Sequence, residues 1–303
     1  MKSVSRIFLG LACITISLGI LIVILAYAIG GGKDYIYKNT NYTSNINNTS
    51  KTNNGYELNA YAEDVTSIDF ELSYGKVTIE TGDEFHVRIE NMPEEGYKSY
   101  VKNGTWFIKE DMNSDNVIRI FDWNIPIGDI GFGFGENDFK SSSITITIPE
   151  DFHGKDLNID LGAGSLNADK LSADTVKLTV GAGSMEVETL NATNLIEIEN
   201  GAGNLIIHDL NALDVEVDCG VGDIKINGSI GRDCNVQTGI GNVFLDIEGD
   251  EENYNYTVDC GIGHVIINDN SYNGITDTTI RNNNSFGTFR FECGIGKIEL
   301  HVR

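Results

Sequence analysis

The chain has 303 residues, 41% of them hydrophobic, which is enough to bury a sizeable core and argues against general disorder. Its formal charge is -24, and it becomes -26 once the first 32 residues, which carry only Lys2 and Arg6, are set aside. That balance argues against nucleic acid or anionic lipid as a partner of the main body. Thirty-four glycines against three prolines, among many Val, Ile and Thr residues, point to strands joined by glycine turns.

In chain order, residues 1–6 form a short basic N-terminus. Ile7 to Ile29 follow without a charge, long enough to cross a hydrocarbon layer of about 30 Å as one transmembrane helix. A cleaved signal peptide is the competing reading, since Ala26-Tyr27-Ala28 resembles a cleavage site, but the apolar run exceeds the roughly 7 to 15 residues of a signal core. A lipoprotein reading through Cys13 fails because too little apolar chain precedes it. Lys2 and Arg6 place the N-terminus in the cytoplasm, so the remainder is expected outside the cell membrane. Residues 30–55 read as a disordered tether, most of it an Asn/Thr/Ser tract (37–55) with too little apolar surface to fold.

Residues 56–155 form an N-terminal β region. Ile68, Phe70 and Leu72 share a face, as do Val77 and Ile79, and then Phe85, Val87 and Ile89. "TWFIKED" and "SSSITITIPED" are further strands. Between them, residues 125–139, "IPIGDIGFGFGENDF", form a Gly- and Phe-rich loop.

Residues 156–303 contain an internal repeat. Gly-Xaa-Gly turns begin at Gly162, Gly181, Gly201, Gly220, Gly239, Gly261 and Gly294, each flanked by strands with alternating apolar residues. A period close to 19 residues means coils stacked on coils, an all-β solenoid of about seven, with the longer intervals before Gly261 and Gly294 bulging out as loops. Chain order makes "KIELHVR" the last coil, an uncapped edge that is either blunted by Lys297, His301 and Arg303 or open to a partner.

The slot before each turn holds Leu161, Val180, Asn200, Cys219, Thr238, Cys260 and Cys293. This is one inward packing position seen seven times, where a free Cys acts as a small hydrophobe. One thiol per coil with no neighbouring His supplies no metal site. Coils stack about 4.8 Å apart, which leaves a Cys260–Cys293 bridge open while putting Cys219 and Cys260 two coils apart. A phosphate cradle is rejected because every Gly-Xaa-Gly opens a strand and not a helix, and the glycines are read as supplying the backbone angles of a corner. The five histidines are scattered, and no carboxylate pair is recognisable in the sequence. No catalytic, cofactor-binding or metal-ligating residue is assigned.

The order "SIDFELSYGKVTIE", "GTWFIKED", "SITITIPED" and then serial Gly-Xaa-Gly coils, spanning residues 65 to 303, resembles the bacterial β-strand-repeat family labelled "putative adhesin". The resemblance implies a membrane-anchored cell-envelope protein, some of whose relatives are linked to envelope-stress signalling, and it supplies no catalytic residue. The expected function is non-enzymatic: an extracytoplasmic solenoid that binds an envelope or membrane protein as a signalling accessory. A tether of about 25 Å root-mean-square reach favours this over an adhesin contacting a glycan or wall polymer. A polysaccharide-active β-helix enzyme is the third reading, and it requires acidic residues clustered on one exposed face.

Overall fold

The computed structural model describes residues 49–52, 55–59, 65–72, 75–90, 97–110, 117–120, 123–126 and 143–303. The segment 7–29, most of the tether and residues 127–139 of the Gly/Phe loop lie outside them. Among the described residues, no helix is long and apolar enough to cross a membrane.

The fold is all-β. Strands β1 (Thr49–Thr52), β2 (Gly55–Asn59), β3 (Ser67–Leu72), β4 (Lys76–Gly82), β5 (His86–Glu90), β6 (Tyr97–Lys102) and β7 (Thr105–Glu110) are followed by a separate hairpin, β8 (Val117–Ile120) with β9 (Trp123–Pro126). Then come β10 (Ser143–Pro149), β11 (Gly154–Leu161), β12 (Ser165–Val180), β13 (Ser184–Asn200), β14 (Asn204–Cys219), β15 (Asp223–Ile230), β16 (Cys234–Thr238) and β17 (Asn242–Ile247). The chain ends with β18 (Tyr254–Cys260), β19 (His264–Ile267), β20 (Asn270–Asn273), β21 (Thr276–Ile280), β22 (Gly287–Cys293) and β23 (Lys297–Val302).

Each coil contributes one strand before its corner and one after it, and parallel in-register pairing stacks them into two walls. β12, β13 and β14 each run from the post-corner wall of one coil into the pre-corner wall of the next. Period-two alternation turns Val176, Leu178 and Val180 inward on one wall and Leu166 and Ala168 on the other, all 3% exposed or less. At about 1.5–3 kcal/mol per fully buried large aliphatic side chain, these columns are the main source of stability.

The repeat extends beyond the Gly-Xaa-Gly coils. β11 pairs with β3, β3 with β7, and β10 with β4, so these four N-terminal strands, β3, β4, β7 and β10, contribute two further rungs to the same stack. Residues 49–52, within the stretch read as tether, form a strand with 55–59, which in turn pairs with the edge of β5. Edge pairing satisfies backbone groups that this polar sequence would otherwise leave to water.

Chain order and spatial order part company at the C-terminal end, which corrects the expectation for the last coil. β22–β23 insert between β16–β17 and β18–β19, so both edges of Lys297–Val302 are paired, to β17 and β19. The chain overshoots by one coil, caps it with β20 and β21 in antiparallel pairing, and returns to fill the gap. "KIELHVR" is therefore neither an edge nor a docking strand. The N-terminal end uses the same device, with β5 antiparallel to β10 and β6 antiparallel to β7.

The glycines are required by close approach more than by backbone angle, a second correction. A Cβ on the second glycine of a corner would lie 2.0 Å from the Gly203 carbonyl at Gly222 and 1.9 Å from the Gly241 carbonyl at Gly296. Within the Gly-Xaa-Gly corners only Gly164 has a positive φ, 128°.

Candidate functional site: an acidic wall beside an apolar corner

The structure assigns the slot before the corner a task that the sequence did not reveal. Asn200 Nδ2 donates to Gly203 O at 2.8 Å, Cys219 Sγ to Gly222 O at 3.4 Å, Thr238 Oγ1 to Gly241 O at 3.0 Å and Cys293 Sγ to Gly296 O at 3.1 Å. Each side chain straps its own corner by an i to i+3 hydrogen bond. Asn, Cys and Thr interchange because all three can donate, while Leu161 and Val180 fill the same slot without one. The polar residues of the column were visible, but Leu161 and Val180 in the same slot concealed the bond.

The same strands carry an outward row one residue earlier. Read across the pre-corner wall in register, it runs Lys109, Glu71, Asp160, Thr179, Glu199, Asp218, Gln237, Glu292, Asp259 and Asp277. Seven of ten positions are carboxylates and one is a lysine. Neighbouring strands are about 4.8 Å apart, so several of these charges face their like. Burial, reinforced by the negative charges of Glu71 and Glu199, pushes Asp160 up to about 6, with Lys177 opposing. Asp218 is also raised, by burial first and then by Glu199, Glu216 and Glu292. Lys109 bridges to Glu71 at 2.6 Å, and Lys177 to Glu199 at 2.6 Å. Asp160, Lys177 and Glu199 line a shallow open groove.

Three residues after this row comes the middle residue of each corner. In spatial order these are Ala163, Ala182, Ala202, Val221, Ile240, Ile295 and Ile262, laddered by hydrogen bonds such as Ile295 N to Gly239 O at 2.8 Å. Ile240 is 36% exposed, Ile295 47% and Ile262 79%, so the C-terminal half of the corner is an apolar ridge bordering the acidic wall. Most of both features lies in the chain one residue before and two after each slot; the register adds Lys109, Glu71 and Asp277 to the row and sets Ile295 between Ile240 and Ile262.

Two clusters invite a chemical reading. His153 Nδ1 lies 2.8 Å from Ser172 Oγ and Nε2 lies 3.1 Å from Asp174, which also accepts from Thr193 at 2.6 Å. These are the groups of a nucleophile, a base and its orienting acid. The group is exposed, and the cavity lined by Ser172 holds about 10 Å³, room for one water and not for a substrate. Glu186, Glu188 and His208 hold ligand atoms within 4.8 Å of one another. Its contact of 2.7 Å between His208 and Glu186 is an ordinary exposed cross-strand pair, and it accounts for the grouping without a cation.

Parallel coils, a filled core and strapped corners define an all-β, solenoid-like repeat protein. The chain belongs to the family described as Toastrack DUF4097, which matches residues 65–279, from the first stacked rung to the C-terminal cap. Among solved structures it is similar to a "putative adhesin" from Bacteroides fragilis (16% identity, 82% of this chain and 98% of that one, TM-score 0.42). It is also similar to a "putative cell adhesion protein" from Clostridium sporogenes (14%, 82% and 100%, 0.31) and a "putative lipid binding protein" from Parabacteroides distasonis (16%, 82% and 96%, 0.37). No curated protein matches.

Proposed function

We propose that the protein is a non-enzymatic binding module of the cell envelope. In this reading, residues 7–29 anchor it in the cell membrane and the stack stands outside. The pre-corner wall receives a cationic surface of another envelope protein, in an accessory role in envelope-stress sensing or signalling. One observation carries the proposal: seven carboxylates share one outward row, and within it Asp160 and Asp218 are raised by burial first and by neighbouring carboxylates second, a charge balance that an oppositely charged partner would improve. The adjoining isoleucine ridge supplies apolar contact along the same face.

The test is crosslinking of the full-length, membrane-anchored protein in its own cells, followed by mass spectrometry of what is captured. One membrane protein should recur. Its capture should fall at least about tenfold when Glu199, Asp218 and Glu292 are together changed to lysine, and it should persist when Lys225 on the opposite wall is changed to glutamate. Capture that survives the triple change refutes the acidic-wall reading, and recovery of wall polymer alone moves the assignment to adhesion.

One observation favours an enzyme as the second reading. Asp160, raised to about 6 beside Glu71 and two strands from Glu199, has the makings of a general acid among carboxylates. Incubation with envelope polysaccharides decides: release of reducing ends that disappears in Asp160→Asn supports it, and no cleavage ends it.

A further inference from the structure

The slot before the corner runs, in spatial order, Asn200, Cys219, Thr238, Cys293, Cys260. Thr238 separates Cys219 from Cys293, placing three strand spacings between Cys219 and Cys260 where chain order suggested two. Nothing separates Cys293 from Cys260. The two are register partners on parallel strands, 3% and 1% exposed, in adjacent places of one inward column. One strand spacing, about 4.8 Å, falls within the Cα window of roughly 4.4–6.8 Å that a disulfide accepts. Cys234 occupies another column, between Val215 and Phe289 on the flanking strands. Among the described residues, the four cysteines carry free thiols and a single pair is adjacent.

We propose that Cys260 and Cys293 are a covalent modification site, an inter-coil disulfide that staples the overshooting coil β18–β19 to the inserted coil β22–β23. The inference rests on the fold alone and is independent of any partner. The topology gives the bond a purpose: β18–β19 form the outermost parallel rung, held on the inner side by the inserted coil and on the outer side by the β20–β21 cap. Ends of a stack open before its middle. A bond from residue 260 to residue 293 closes a loop that contains β19, β20, β21 and most of β22.

The closed coil protects its own thiols. Burial pushes Cys293 up to about 12 and raises Cys260 as well, so neither supplies thiolate until the outer coil opens. On opening, the Cys260 thiolate attacks a small disulfide oxidant such as oxidised glutathione, forming a mixed disulfide and expelling one glutathione thiolate. Cys293, deprotonated in turn, attacks Cys260 Sγ and expels the second. The protein loses two thiol protons and two electrons, and the oxidant leaves as two glutathione thiols.

The experiment uses the full-length protein, equilibrated with oxidised and reduced glutathione, alkylated and digested without reduction. The expected result is one linked peptide pair joining Cys260 to Cys293, with Cys219 and Cys234 alkylated. Amide exchange in residues 254–280 should slow by about tenfold or more on oxidation. Cys293→Thr keeps the corner strap, since Thr already fills the slot at 238. It should fold, retain the reduced protein's exchange pattern and lose the oxidation effect. Alkylation of both Cys260 and Cys293 after equilibration, a stable glutathione adduct on either, or a pair involving Cys219 each overturns the proposal.

Discussion

The two walls of the stack are built from the same coils, with the same parallel register and equally filled inward columns, yet their outward rows differ. The pre-corner row has seven carboxylates and one lysine over ten strands. The matching post-corner row, from Thr145 through Thr78, Asn167, Glu186, Ile206, Lys225, Phe244, Glu299 and Ile266 to Ser271, has two carboxylates and one lysine. On the post-corner wall, charges meet opposites: Glu186 faces His208 at 2.7 Å, and Glu299 pairs with Lys297 and His301. On the acidic wall Glu71 pairs with Lys109 and Glu199 with Lys177, but Asp218 sits among Glu199, Glu216 and Glu292. Folding is satisfied by inward columns and corners, so it leaves the outward rows free. The proposed function rests on the difference between them.

The largest effect should come from breaking the corner that joins the walls. In Gly222→Ala the new Cβ would meet the Gly203 carbonyl at 2.0 Å and Asn200 Nδ2 at 2.8 Å, and backbone stacked on backbone has nowhere to go. A loss of more than about 3 kcal/mol, or failure to fold, is expected in urea denaturation. The first glycine of the next corner is the control. In Gly239→Ala the nearest atom is the Gly220 carbonyl at 3.0 Å, and the loss should be visibly smaller. Equal losses would show that backbone angle, and not stacking distance, sets the requirement.

A smaller effect should follow from cutting one strap and leaving the corner intact. Thr238→Val removes the donor to Gly241 O, which still accepts from Lys297 N at 3.1 Å, so the cost should be about 1 kcal/mol and Thr238→Cys should be near neutral. This residue also shows what the sequence could say. Period-two alternation around Gly-Xaa-Gly made the strands, the buried face and the stacking legible, because both ladder pairing and burial follow local pattern. The slot was visible as a column, but its hydrogen bond was not, since Leu161 and Val180 occupy it too. The insertion of β22–β23 was illegible for a physical reason: every coil offers the same ladder, so a repeat sequence fits any neighbour. The acidic row did not depend on that order, since the insertion exchanges only Asp259 and Glu292; what the register added was Lys109, Glu71 and Asp277.

The smallest effect, and the one that sharpens the contrast most, compares neutralising one carboxylate on each wall. Asp160 has a folded pKa of about 6, above the ordinary carboxylate value, so its ionised form weakens the folded state. That penalty is complete above pH 6 and vanishes as the pH falls towards 4, where the folded protein holds the proton at no cost. Asp160→Asn should therefore stabilise the protein at pH 7.5 by about 1 kcal/mol, after allowing for solvent screening of a partly exposed group, and the gain should fade between pH 6 and 4. Glu186→Gln on the opposite wall loses its exposed contact with His208 and should cost a few tenths of a kcal/mol at most. Opposite signs in thermal melts at pH 7.5 would mean that the acidic wall carries charge against its own stability, as a surface built for a partner does. If both substitutions are neutral, the row is adequately solvated, and the burial and charge crowding that support the binding proposal are too weak to need a partner.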